Sequence, residues 1–192
     1  MKKFYRILLI LVGLSVLIYL IAKKISDNSD SVKEKYHSSV ILKLFSIKTS
    51  NDFIIDIPEE KTSCVLDSVK LDTISPFAYG KFINKDVKGT VLLNWRFLTP
   101  CSSSDNDIFN FVAPFIVNSG GSGNFYYLGF FKLDYKKQTI THKKSVYLGD
   151  RVKIRGIKLF EDTNLKVKLL KHGPKQSYAE EPKSEEVLDI KI

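Results

Sequence analysis

Sixteen consecutive residues without a charge, Ile7 to Ala22, divide this chain of 192 residues into two unequal parts. As a helix the run spans about 24 Å, short of the ~30 Å hydrocarbon core of a bilayer. Phe4 and Tyr5 extend it, and Arg6, Lys23 and Lys24 can reach to the interfaces along their aliphatic stems. The run is apolar around its whole circumference, which suits lipid better than one side of a globular core. Its end, Tyr19-Leu20-Ile21-Ala22-Lys23-Lys24, has no A-x-A cleavage pattern, and no Cys stands near for lipid attachment. The expectation is a retained single-pass anchor over residues 1–24, with the lipid bilayer as partner through residues 7–22. Lysines flank both ends, so the positive-inside rule leans only mildly toward an internal N-terminus. That orientation places the rest of the chain outside the cytoplasmic (inner) membrane, in the periplasm if the cell has an outer membrane.

The same segment explains most of the charge. The chain carries 30 basic and 21 acidic residues, a net charge of +9; residues 1–24 hold five basic and no acidic side chains. The remainder has a net charge of +4, ordinary for a soluble surface, and nucleic acid is not an expected partner.

Residues 25–36 are polar and read as a linker. From residue 37 onward, the texture is that of short strands. Val40–Ile47 and Phe53–Ile57 come first, then Cys64–Leu71, Gly89–Leu98, Phe109–Val117, Phe125–Leu133 and Thr139–Tyr147. Val152–Leu159 alternates apolar and polar with a slip at Gly156 that signals a bulge, and Leu165–Leu169 alternates after a Glu-Asp-Thr-Asn turn. A last strand is expected over Val187–Ile192. Thirteen Phe and nine Tyr against one Met suit pleated, half-buried surfaces. The expected fold is mainly β: an antiparallel β-sandwich or barrel-like domain over 37–192 behind a transmembrane helix.

Cys64 and Cys101 are the only cysteines. In an exported chain a disulfide between them is the expectation, contributing about 4 kcal/mol for a loop of about 38 residues. It would also support the outward orientation. No metal or cofactor is expected. His37, His142 and His172 are widely spaced in polar contexts and read as surface residues, and Asp105-Asn106-Asp107 lacks the glycine of a calcium loop.

The conspicuous segment is Asn118-Ser119-Gly120-Gly121-Ser122-Gly123-Asn124. It lacks the Gly-Lys-Ser/Thr end of a phosphate loop and the second glycine of a G-x-S-x-G elbow, so a hairpin connection is the plain reading. Together with Phe125-Tyr126-Tyr127-Leu128, and with Leu148-Gly149-Asp150-Arg151-Val152 downstream, it resembles a group of uncharacterised bacterial exported proteins and lipoproteins. These pair SGGSG-x-F-Y-Y with a later L-G-D-R-[IV] and a Pro-containing tail. The resemblance covers about residues 104–192 and implies export and a β-rich fold, but no activity. Two departures stand out: only Asp105-Asn106-Asp107 remains of the group's D-x-N-x-D-G-like stretch, and Lys171-His172-Gly173-Pro174 with Glu181-Pro182 is a loose version of its R-K-P-G-E-P-M tail.

The expected role is therefore a non-enzymatic, membrane-tethered domain that binds a ligand or protein in the cell envelope. Candidate contact residues are Gly120, Gly121, Ser122, Gly123, Tyr126, Tyr127 and Arg151. The alternatives are an envelope hydrolase assembled from distant residues, or a structural subunit of an envelope complex.

Overall fold

The structure, a computed structural model, describes Tyr19 and residues 52–58, 60–69, 76–101, 107–160 and 163–192. The chain divides into two compact units, Met1–Ser39 and Val40–Ile192. Every strand below belongs to the second. The apolar run, apart from Tyr19, the linker and the expected strand Val40–Ile47 lie outside the described residues. Among the described residues, no helix is long and apolar enough to cross a membrane.

Among the described residues, twelve antiparallel strands make three sheets. A hairpin pairs β1 (Phe53–Asp56) with β2 (Ser63–Leu66). The large sheet runs β3 (Ser68–Val69), β4 (Phe77–Asn84), β5 (Val87–Asn94), β7 (Ile108–Asn118), β8 (Phe125–Asp134), β9 (Thr139–Asp150), with β6 (Thr99–Pro100) also paired to β7. A third sheet orders β10 (Lys153–Phe160), β11 (Asn164–Lys171) and β12 (Ser184–Lys191).

The large sheet is covered on both faces, which is why β7 reads as a nearly unbroken apolar run. The odd-numbered side chains Phe109, Phe111, Phe115, Tyr127 and Phe131 meet the hairpin through Phe53, Ile55, Cys64 and Leu66. The even-numbered Val112, Leu128 and Phe130 meet Leu165, Val167 and Leu169 of the third sheet. Phe111 stacks on Phe131 at 5.2 Å, and Phe53 meets Phe131 edge-on at 5.3 Å.

The structure departs from the sequence expectations at three places, one of them a strand where none was expected. Gly89–Leu98 is not one strand: β5 ends at Asn94, and a 3-10 turn, Trp95–Phe97, leads into β6 farther along the same edge of β7. Asn94 Oδ1 accepts from the Arg96 amide at 3.1 Å and caps that turn. Pro114 lies opposite the interruption, where the ladder on that edge is already broken. Secondly, Phe77–Asn84 is a full strand that carries no clean alternation, because Gly80 sits in its middle. A Cβ there would lie 1.9 Å from the Val65 carbonyl oxygen, so the close crossing of β2 requires glycine.

The third correction is the disulfide. Cys64 lies in the aromatic core on one side of the large sheet and Cys101 in the core on the other; both are free thiols. Burial pushes each thiol up to about 11. Both behave as small buried hydrophobes, and the cysteines no longer support an outward orientation.

The bulge anticipated at Gly156 is present, with the register of β10 against β11 shifting between Ile154 and Gly156.

Candidate functional site

The two motif segments fold against one another through hydrogen bonds that span 26 to 29 residues of sequence. The loop from Asn118 to Asn124 joins β7 to β8, and Asn118 organises it from within. Its Nδ2 donates to the Gly123 carbonyl and to Asn124 Oδ1, both at 3.1 Å, while its Oδ1 accepts from the Gly120 amide at 2.9 Å. Gly120 has φ +79°, a left-handed conformation that glycine adopts without a steric cost.

The corner between β9 and β10 supplies the other half. Asp150 Oδ1 accepts from the Asn124 amide at 2.9 Å, and the Arg151 amide donates to the Asn124 carbonyl at 2.8 Å. The Arg151 guanidinium donates to the Ser122 carbonyl through Nε at 3.1 Å and Nη2 at 2.6 Å, and to Ser122 Oγ at 3.3 Å. Arg151 itself sits at φ +48°, uncommon for a side chain with a Cβ. The guanidinium, fork-shaped and always charged, is suited to hold one carbonyl with two donors.

The Pro-containing tail between β11 and β12 closes over this corner. Tyr178 lies against Arg151, with the guanidinium carbon 4.7 Å from the ring centre, and His172 packs on the same ring at 4.7 Å. His172 Nε2 donates to the Glu180 carbonyl at 2.8 Å, and Lys153 pairs with Glu181 at 2.7 Å.

Beside the corner opens a cleft of about 430 Å³. Phe77, Phe97, Ile116 and Tyr126 form apolar walls, with Asn94, Asn124, Arg151, Lys153 and Glu181 as its polar groups. Burial, and then the charge of Asp150, push the Tyr126 phenol above its ordinary value. An apolar surface with a few convergent polar groups is the usual make-up of a small-ligand or peptide site.

The seven residues nominated from the sequence are thereby divided. Tyr126 and Arg151 line the cleft. Ser122 holds Arg151 from behind, and Gly123 holds Asn118. Gly120 borders a separate hollow with Lys81, Lys88 and Asn118, and Gly121 has open space around it. Tyr127 points to the opposite face of the sheet, where it stacks on Phe115 at 5.4 Å. The cleft's other walls escaped notice in the sequence: Phe77 belongs to the strand masked by Gly80, and Lys153 and Glu181 look like ordinary surface charges.

His142 corrects a further expectation, for its side chain is only 5% exposed. A bulge in β9, where the register shifts between Phe130 and Phe131, turns it onto the aromatic face beside Phe131, 5.0 Å away. Its Nδ1 accepts from the Asp56 amide at 3.0 Å, leaving the proton on Nε2, 2.9 Å from Ser145 Oγ. Burial pushes the imidazole below its ordinary value, against the opposing pull of Asp56. Ser145, His142 and Asp56 have the residue types of a nucleophilic triad. The proton is on the wrong nitrogen, however: Nε2 must be free to take the serine proton, and here it carries one.

Among the described residues, no group of three His, Cys, Asp or Glu side chains is arranged to hold a metal ion. Asp107, which closes the acidic stretch read from the sequence, pairs with Lys136 at 2.6 Å; residues 102–106 lie outside the described residues.

No family model matches the chain, and neither curated proteins nor solved structures give a significant match.

Proposed function

We propose that the chain is a membrane-tethered, non-enzymatic domain of the cell envelope that receives a ligand or protein segment in the cleft beside Tyr126 and Arg151. The observation that carries this reading is the mutual bonding of the two motif segments. Five hydrogen bonds link Asp150 and Arg151 to Ser122 and Asn124, and they fix one border of an open cleft with apolar walls. Binding groups placed on an ordered scaffold lose little freedom when a ligand arrives. The apolar walls and amide-bearing Asn94 and Asn124 suit an apolar group presented next to a hydrogen-bonding backbone, as in an extended peptide. The apolar run Ile7–Ala22 supports the tether, and the resemblance to exported proteins supports the location.

The test is a photo-crosslinking amino acid placed at Tyr126 in the cleft or, as a control, at the exposed Ile83 of β4, in otherwise native cells. The reading predicts a discrete adduct from position 126 that disappears when Ile116→Trp fills the cleft, and none from position 83. Equal adducts from both positions, or none from 126, would refute it.

A further inference from the structure

Among the described residues, the third sheet packs by one face only. Ile154, Ile157, Leu159, Leu165, Val167 and Leu169 turn inward, so alternation sends their neighbours to solvent. Those neighbours are basic: Arg155, Lys158, Lys166 and Lys168 are all exposed. The register sets Lys158 directly opposite Lys166, with Lys168 two residues farther along β11 on the same face. Like charges directly opposite one another in an antiparallel ladder are unfavourable, and the inward packing does not require them. On the far strand, Asp189 stands opposite Lys166, and Glu185 is exposed two positions before Val187, so two carboxylates stand against the four cations. Two apolar side chains stand exposed in the same field, Phe160 at 49% and Val187 at 51%. Val187 lies opposite Lys168, and Lys166 Nζ sits 4.8 Å over the Phe160 ring.

We infer that the outer face of β10–β12 docks onto an anionic lipid bilayer. Headgroup phosphates meet the guanidinium and ammonium groups, and the interfacial layer takes Phe160 and Val187. A single-stranded nucleic acid fits less well, since it binds along rows of stacking rings and these strands expose one, Phe160. The apolar run near the N-terminus favours the same partner, for a tether raises the local concentration of the bilayer. The inference does not depend on the cleft, which this face does not line.

The experiment uses the full chain in nanodiscs of phosphatidylcholine alone or of phosphatidylcholine with phosphatidylglycerol. Lysine acetylation is read by mass spectrometry, with Lys81 and Lys88 of the large sheet as internal references. Docking predicts that Lys158, Lys166 and Lys168 are protected severalfold in the anionic discs only, that added salt removes the protection, and that the references do not change. Lys158→Glu weakens association by about fivefold, read at Lys166 and Lys168, and Lys158→Gln does so to a smaller extent. Near-UV circular dichroism of each variant confirms that the fold is kept. Equal labelling in both discs overturns the inference. So does equal protection in both, which would mean a cover other than anionic lipid, and so does protection of all five lysines alike.

Discussion

Arg151 holds the carbonyl of Ser122 with two guanidinium nitrogens, at 3.1 and 2.6 Å, across 29 residues of sequence. It does so from a left-handed backbone conformation. Loop and corner are thus one unit, and the residue joining them sits where the backbone prefers glycine. The consequence is an unusual order of substitutions. Arg151→Ala loses charge-assisted hydrogen bonds, about 1.5–3 kcal/mol, and keeps a Cβ at φ +48°. Arg151→Gly loses the same bonds but relieves about 1 kcal/mol of backbone strain. Urea denaturation is expected to rank wild type above Gly and Gly above Ala; Ala equal to or above Gly would show that the conformation is not held.

His142 makes stability depend on pH. Its folded-state affinity for protons is below that of the unfolded chain because burial disfavours the cation. The unfolded chain therefore binds more protons as pH drops, and the contribution, fully present above the ordinary imidazole value of about 6.5, is lost progressively below it. Thermal melts at pH 7.5 and pH 5 are expected to show a loss that His142→Gln diminishes. An unchanged slope in the variant would assign the acid sensitivity elsewhere.

Gly80→Ala tests the crossing of β2 over β4. With a Cβ 1.9 Å from the Val65 carbonyl oxygen, the two strands must separate. A loss of about 1–3 kcal/mol is expected, the usual range for overpacking. Gly121→Ala, with nothing near its Cβ position, is the neutral control.

Both cysteines are buried thiols, with pKa values pushed up to about 11. At neutral pH a thiol-specific reagent is expected to leave the folded protein unlabelled and to modify two groups in urea. A mobility shift on reduction would contradict the placement of the cysteines in separate cores.

Lys158 faces Lys166 at a directly opposed position. Replacing it by Glu turns a like-charged pair into an attractive one, with an expected gain of about 0.2–1 kcal/mol in thermal stability. Loss of stability would show that Lys158 is satisfied by contacts within the domain.

Much of the fold was legible because short apolar runs, alternation where one face is solvated, and turn chemistry agreed. Phe109–Val117, Phe125–Leu133 and the Glu161–Asn164 turn all announce antiparallel hairpins, and the slip at Gly156 announces its bulge. What failed to show is what depends on the third dimension. Gly80 interrupts an alternating strand because another strand crosses it, and only the crossing explains the residue. The two cysteines lie within reach of a disulfide in sequence, yet on opposite sides of a sheet whose two-sided burial is decided by the strands that follow. Tyr126 and Tyr127 are adjacent in the chain and so must face apart in a strand; that much was available from the twofold period alone. His142 looked exposed among lysines, but the bulge at Lys143 reverses its side. Within the candidate site, the motifs mark the corner that borders the cleft, while Phe77, Lys153 and Glu181 carry no local signal because each owes its place to a strand or loop distant in sequence.

The proposed tether, Ile7–Ala22, and the proposed place outside the cytoplasm decide which ligands this domain can meet. The direct measurement is protease digestion of intact cells carrying a C-terminal tag, followed by membrane fractionation. A full-length chain in the membrane fraction whose tag is removed from outside is the predicted result. A tag that survives until the cells are broken, or a shortened chain free of the membrane, would contradict the account.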